Sequence, residues 1–235
     1  MTKIRYENLT LAHTEEVLDF SFDPEDSLTV VCCDKDATRV TVPSEVDGVP
    51  VTTVNEHAFE DCTRLCEVTL PARVHTVLTS AFRGCTALTR VVCAADTYFG
   101  VCAFSGCTAL CEMSPIACAS EGLFENCTAL GTLPLCEGVR VIESEAFAGC
   151  TGLTAVVLPE SVRTVEGLAF RGCGALSALH FPDPTAWVMR SAYREGDTPI
   201  DCSDAQKNAR ALRTMDFDDG VLGYYRTAEE DGENE

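Results

Sequence analysis

A chain of 235 residues is long enough for one large domain or two small ones with a sizeable core. Its apolar fraction of 46% and charged fraction of 23% match the globular average and exclude a disordered or collagen-like chain. Seventeen basic against 37 acidic residues give a formal charge of −20, which repels phosphate backbones and argues against a nucleic-acid binder.

Residues 1–38 read as an N-terminal cap. A short amphipathic stretch, Leu11 to Phe22, leads through the turn signal Asp23-Pro24-Glu25-Asp26-Ser27 into the apolar run Leu28-Thr29-Val30-Val31-Cys32-Cys33. That run is expected to be a strand joining the first rung of a repeat array. Acids at Glu7, Glu15, Glu16, Asp19 and Asp23 leave no apolar stretch of the kind a secretory leader needs. No run approaches the roughly 18 apolar residues of a membrane span. The expected compartment is the cytoplasm, with reduced thiols; the alternative is a cell-surface or secreted chain whose leader has been removed. Fifteen cysteines, an odd number, exclude complete internal disulfide pairing in a monomer.

Residues 39–182 are built on one recurring block, Ala-Phe-x-x-Cys-x-x-Leu. Its aromatic, thiol and leucine positions are Phe59/Cys62/Leu65, Phe82/Cys85/Leu88, Phe104/Cys107/Leu110, Phe124/Cys127/Leu130, Phe147/Cys150/Leu153 and Phe170/Cys173/Leu176, with Leu123 replacing Ala before Phe124. The Phe-to-Phe steps are 23, 22, 20, 23 and 23 residues. In well-formed copies the Leu opens a short strand, Leu65-x-x-Val68-x-Leu70, with two apolar residues on one face. Pro71, Pro159 and Pro182 then end the ladder, because proline has no N–H to donate. A second extended piece comes next in Val74-x-x-Val77, Val139-x-x-Ile142 and Val162-x-x-Val165. No coil of this size buries both sides of its apolar set, so stability comes from stacking coils at about 4.8 Å per rung. Cysteine suits an inward ladder because it is small, apolar and undemanding of hydrogen bonds. The rung spacing alone permits cross-rung disulfides; a reducing compartment argues against them.

The pattern Ala-Phe-x-x-Cys-x-x-Leu-x-x-Val-x-Leu-Pro-x-x-Val-x-x-Val closely resembles the BspA-type leucine-rich repeat. The lead-in Val40-Thr41-Val42-Pro43, followed by Asp47-Gly48-Val49-Pro50-Val51-Thr52-Thr53-Val54, is similar to the segment that precedes the first block in that family. The resemblance covers Arg39 to Pro182. It implies an α/β repeat that is mostly β: a right-handed leucine-rich-repeat solenoid with short strands in each coil, an N-terminal β cap and a C-terminal cap containing a helix. It implies little about function, since a few members are surface adhesins and most are uncharacterised.

Two coils depart from the pattern. Between Leu88 and Phe104 the second piece is Asp96-Thr97-Tyr98-Phe99-Gly100, and between Leu110 and Phe124 it shrinks to Pro115-Ile116-Ala117-Cys118-Ala119-Ser120. Missing inward valines are expected to loosen or bend the solenoid near residues 94–120. Residues 183–226 read as the C-terminal cap, holding Trp187, Tyr193, Tyr224 and Tyr225. A helix is expected over Asp204–Met215 with Ser203 as N-cap and Ala205, Ala209 and Leu212 on one face. Residues 227–235 form an acidic, solvated tail.

Catalytic signals are scarce. The sequence has no glycine-rich phosphate loop, no His-Glu-x-x-His and no Gly-x-Ser-x-Gly, and the chain is read as a non-enzyme with no cofactor. His13, His57, His75 and His180 lie far apart, with His75 and His180 at strand positions facing solvent. Cys32-Cys33 and the group Cys102, Cys107, Cys111 and Cys118 lack the Cys-x-x-Cys knuckle of a zinc site and read as structural. Asp216-Phe217-Asp218-Asp219-Gly220 lacks the acid spacing and closing Glu of a calcium loop and reads as a turn.

The expected function is non-catalytic protein–protein interaction with a protein partner of unknown identity; the alternative is a cell-surface adhesin or ligand-binding protein. The candidate binding surface has two parts. One is the outward column of the first strand, Glu67, Arg90 and Glu112, which continues in Thr132, Ala155 and Ala178. The other is a basic column on the second piece, His75, Arg140 and Arg163, suited to an acidic partner in an otherwise acidic molecule. The competing account is that these cations offset nearby Glu143, Glu145 and Glu166.

Overall fold

The computed structural model describes residues 3–14, 26–192, 194–215 and 221–227. At the N-terminal end β1 (Ile4–Tyr6), β2 (Leu9–His13) and β3 (Leu28–Cys33) form an antiparallel meander. The run Leu28–Cys33 is thus a strand, as its apolar pattern predicts, and the first part of the expected amphipathic stretch is extended in β2. The rest of that stretch, and most of the turn signal after it, lie outside the described residues. The solenoid then begins with β4 (Arg39–Thr41), β5 (Glu45–Val46) and β6 (Val49–Val54), β3 pairing in parallel with β6.

Each coil adds one strand to either or both of two parallel columns. The first column holds β7 (Glu67–Thr69), β9 (Arg90–Val92), β11 (Glu112–Met113), β13 (Ala155–Val157) and β15 (Ala178–His180). The second holds β8 (Thr76–Val77), β10 (Tyr98–Phe99), β12 (Val141–Ile142) and β14 (Thr164–Glu166). Strand pairs stay in register from coil to coil, with Val40, Val68 and Val91 aligned in the first column and Val54, Val77 and Phe99 in the second.

The Ala-Phe turns make a third column. Phe59 N donates to Ala81 O at 2.7 Å, and the same bond recurs from Phe82 to Ala103, Phe104 to Leu123, Phe124 to Ala146 and Phe147 to Ala169 at 2.8–2.9 Å. These bonds hold one ring above the next. The six Phe rings stack with centroids 4.6–5.6 Å apart and interplanar angles of 5–20°. All six are fully buried, as are the cysteines and leucines that come after them in each block. The thiols are also satisfied: Cys85, Cys107, Cys127, Cys150 and Cys173 each donate Sγ–H to the Phe carbonyl of the preceding coil at 3.0–3.2 Å. The ladder cysteine therefore supplies a cross-coil hydrogen bond as well as small apolar volume.

Every turn bends through left-handed backbone two residues before and two residues after its Phe. Before it stand His57, Ser80, Cys102, Gly122, Glu145 and Leu168, at φ between 55° and 70°. After it stand Asp61, Gly84, Gly106, Asn126, Gly149 and Gly172. Glycine at the second site also leaves room: a Cβ on Gly149 would sit 2.3 Å from Asn126 Oδ1.

The irregular coils behave differently from the expectation of missing inward groups. Phe99 takes the inward valine position, is fully buried and packs 5.1 Å from Phe104. Gly100 lets the shortened segment approach the preceding coil, since a Cβ there would lie 2.9 Å from Thr79 N. The real interruption comes one coil later. Between Met113 and Val141 neither column contains a strand, and an isolated bridge from Ile116 to Leu135 is the ladder pairing described there.

The C-terminal end is more elaborate than a single helix. β16 (Trp187–Ser191) and β17 (Arg194–Ile200) form a hairpin, and β18 (Val221–Arg226) inserts between β14 and β16, all antiparallel. Trp187 is buried, donates Nε1–H to Pro182 O at 2.8 Å and meets Phe181 edge-on. The helix α1 spans Ala205–Arg213, and its N-cap is Asp204, not Ser203: the Asp204 carboxylate accepts from Gln206 N and Lys207 N at 3.0 Å. Its buried face is Asn208, Ala209 and Leu212, with Ala205 half-buried in place of the expected core role. Gly172 N, which has no further coil to bond, donates to Arg213 O at 2.9 Å. Asn208 Nδ2 donates to Leu179 O and Cys202 O. The helix thereby closes the last rung. Tyr193, the Asp216–Gly220 turn and the acidic run Glu229–Glu235 lie outside the described residues.

Candidate protein-binding surface

The first-strand column places Glu67, Arg90 and Glu112 side by side, because Glu67 pairs with Arg90 and Arg90 with Glu112 in the strand register. Arg39 joins them at the top. The four side chains form one alternating ladder: Arg39 to Glu67 at 3.8 Å, Arg90 to Glu67 at 3.1 Å and Arg90 to Glu112 at 3.5 Å. Each is partly solvated, so these pairs neutralise one another and contribute about 0–1 kcal/mol apiece. Below the interruption the same column becomes Ala155 and Ala178, beside Val157, which is 73% exposed.

The basic column splits. Arg140 and Arg163 are neighbours on adjacent coils, joined by a bond from Arg163 N to Arg140 O at 2.8 Å, and both side chains are exposed. His75 is also exposed but stands three coils earlier, with the buried Thr97 next to it in the column. The structure brings the two arginines together and leaves the histidine apart. Among the described residues neither arginine has a carboxylate partner; Arg163 Nη1 donates to Glu160 O at 2.7 Å and to Val162 O. The nearby glutamates are engaged elsewhere. Glu143 accepts from Glu121 N and Glu166 from Ser144 N, both at 2.9 Å, and Glu145 pairs with Arg171 at 3.7 Å. Each of the three carboxylates is thus bonded to a group other than Arg140 or Arg163.

Two further residues shape this face. Arg226, near the end of β18, has its backbone N bonded to Arg163 O at 2.7 Å, and its guanidinium reaches Glu160 O and Asp183. Glu137 clamps the next coil, accepting from Glu160 N and Ser161 N, and these backbone bonds hold its carboxyl below the usual range. Neither is visible in the repeat pattern, since Arg226 reaches the site through an antiparallel return and Glu137 is an exposed residue at a position the inward pattern does not constrain.

The cysteines do not assemble a site. Among the described residues no three His, Cys, Asp or Glu side chains come together as metal ligands would. Cys107 belongs to the ladder, Cys111 is exposed on the strand rim, and Cys118 bonds toward Thr97 O. Cys32 and Cys33 differ sharply, exposed and buried respectively. Burial pushes the Cys93 thiol up to about 12 and the Cys202 thiol up to about 11, so both remain protonated and weakly nucleophilic near neutral pH.

Comparison with known proteins fits this architecture. The family model for the BspA type leucine rich repeat region, in six copies, matches residues 32–118 and 117–198. The chain belongs to this family. A crystal structure of a T. pallidum leucine-rich repeat protein is 27% identical, with a TM-score of 0.66 over 77% of this chain and 84% of that one. A leucine-rich repeat protein from Bacteroides ovatus is 26% identical with a TM-score of 0.66 over 77% of this chain, and the match covers 48% of that one. A leucine-rich cell surface protein from Faecalibacterium prausnitzii shares the fold, at 19% identity and a TM-score of 0.60 over 85% of this chain and 61% of that one. No curated protein matches the sequence. No helix among the described residues is long and apolar enough to cross a membrane.

Proposed function

We propose that this BspA-type solenoid is a non-catalytic scaffold that binds a protein partner, and that the partner presents an acidic segment to Arg140 and Arg163. One observation carries the reading: two adjacent, exposed guanidinium groups lack carboxylate partners among the described residues of a molecule of charge −20, while the other candidate charges, Glu67, Arg90 and Glu112, are paired off. A guanidinium without an internal carboxylate partner still offers N–H groups to a carboxylate from outside. The partner is a protein, with no role for nucleic acid or a cofactor. The cytoplasm fits this reading, because the buried ladder cysteines serve as thiols, packing between coils and donating Sγ–H to the preceding coil.

The test is affinity capture from the native organism with the unmodified chain and with Arg140→Glu combined with Arg163→Glu. Loss of specific acidic proteins from the variant, at unchanged thermal stability, is the expected result. An identical set of captured proteins removes the proposal. Thiol titration after denaturation checks the compartment: fifteen reactive groups are expected, and a much lower count in protein isolated from its source favours the cell-surface alternative.

A further inference from the structure

The second column presents one outward row. Thr76, Tyr98, Cys118, Val141 and Thr164 each stand six residues before the Phe of their turn and one residue before a buried inward side chain. The strand register sets Tyr98 opposite Thr76 and Val141 opposite Thr164, and Tyr225 of β18 extends the row beyond Thr164. Regular coils fill the place with threonine. The coils on either side of the interruption fill it with Tyr98 and Val141, which are 50% and 38% exposed and are two of the four large apolar side chains exposed among the described residues. Two rungs, about 10 Å, separate them. Charge differs on the two sides of the row. Arg140 and Arg163 immediately precede Val141 and Thr164, whereas Glu143 and Glu166 stand two residues after them, their carboxylates accepting from Glu121 N and Ser144 N. The far end of the row is closed: Arg190 Cζ lies 4.2 Å from the centre of the Tyr225 ring, and its guanidinium is paired with Asp197. The open stretch is therefore Tyr98 to Val141, with a basic edge on one side and an acidic edge on the other.

We propose that the segment this face binds is a peptide that mixes acidic and apolar residues, setting carboxylates on Arg140 and Arg163 and laying an aromatic or aliphatic side chain on Tyr98 and Val141. This rests on the reading of the two arginines as the docking site and adds the second half of the partner's chemistry. Exposed carboxylate–guanidinium pairs are weak and screened by salt, so two of them do not hold a partner by themselves. Apolar contact supplies the affinity that charge lacks. An exposed tyrosine beside a valine offers it, since the tyrosine ring gives a wide contact area at a low cost in conformational entropy. The acidic edge sets the direction of docking: carboxylates laid over Glu143 and Glu166 meet like charge, so the acids of the segment settle on the arginine side and its apolar side chain falls on the row. A segment of uniform negative charge gains nothing from the row and leaves Tyr98 in water.

The experiment uses the full chain in three forms: unmodified; Tyr98→Thr with Val141→Thr, which installs the residue that regular coils carry; and Arg140→Glu with Arg163→Glu. The probes are two fluorescent peptides of equal length and charge, one alternating glutamate with tyrosine and the other glutamate with serine, followed by anisotropy at low salt. The unmodified chain is expected to bind the tyrosine peptide about tenfold more tightly than the serine peptide. The threonine variant is expected to bind both alike, at the affinity of the serine peptide, and the glutamate variant to bind neither. Because the readout is a ratio within one protein sample, a partly unfolded fraction weakens both peptides equally and leaves the ratio unchanged. Added salt is expected to weaken both peptides while the ratio persists. Equal affinity of the unmodified chain for the two peptides overturns the mixed acidic and apolar partner and leaves the acidic-partner reading standing. A tenfold ratio that survives in the threonine variant overturns the assignment to Tyr98 and Val141. No binding of either peptide to the unmodified chain, or undiminished binding of both to the glutamate variant, overturns both readings.

Discussion

The turn column and the strand columns of this solenoid are built from the same coils, yet they tolerate irregularity differently. The turns pair without interruption from Phe59 to Phe170, whereas both strand columns lapse between Met113 and Val141. A turn carries a Phe ring, a thiol, two left-handed residues and a cross-coil backbone bond at fixed spacing, so one change disturbs several contacts at once. A strand of two or three residues offers one inward side chain and a few backbone bonds. Losing it costs one rung. Order is transmitted along the axis through the turns, and the strand faces are left free to vary in composition.

The largest test of this contrast is alkaline pH. Burial holds the thiols of Cys127, Cys150 and Cys173 above their ordinary value, Cys173 at about 12. Above the unfolded thiol pKa of about 8.5 the unfolded chain releases these protons and the folded chain keeps them, so stability falls as pH rises. Three thiols at about 1.4 kcal/mol per pH unit each give a loss of about 4 kcal/mol per unit, beginning near pH 9 and continuing toward about 12. Urea unfolding at pH 8, 9.5 and 10.5 measures it; a flat profile would show that the ladder thiols ionise freely in the fold. Next in size is Phe124→Ala, which opens the ring stack beside the interrupted strands and is expected to cost about 3–5 kcal/mol. Val141→Ala, an exposed strand position later in the same coil, is expected to stay within about 0.5 kcal/mol, and equal losses at the two sites would erase the distinction. Asn208→Ala, which leaves the carbonyls of Leu179 and Cys202 without their side-chain donor, is expected to cost about 1–3 kcal/mol, with hydrogen exchange rising first in β15. Arg90→Ala is small as well: its two ion pairs are solvated, so the loss is expected to be about 1 kcal/mol or less and to shrink further in salt.

What the sequence reveals obeys the same division. The Phe, Cys and Leu phases are legible because inward positions constrain residue type, and proline marks the strand ends for a local, steric reason. The role of Phe99 is not legible: an aromatic residue in a short, polar-looking segment reads as drift until the register puts it in the valine column. The alternation of Glu67, Arg90 and Glu112 is visible as a column, yet whether such charges face a partner or each other depends on side-chain reach across coils. Arg140 and Arg163 align because their coils are regular, whereas His75 is separated from them by the two shortened coils. The antiparallel return of β18 is hidden because a strand that comes back across the chain leaves no periodicity, and the shift of the N-cap from Ser203 to Asp204 is one residue between two equally suitable side chains.

The bond from Gly172 N to Arg213 O has an evolutionary consequence. In every earlier turn the same N–H bonds the residue after the next coil's Phe, so Arg213 occupies that place and Leu212 stands where a seventh Phe would. The helix mimics a coil at its point of attachment and at the same time offers no new rung. Such a stopper is indifferent to how many repeats precede it. Gene duplications that add or delete whole coils can lengthen or shorten the array, and with it the reach of the molecule, while the same end-piece continues to fit.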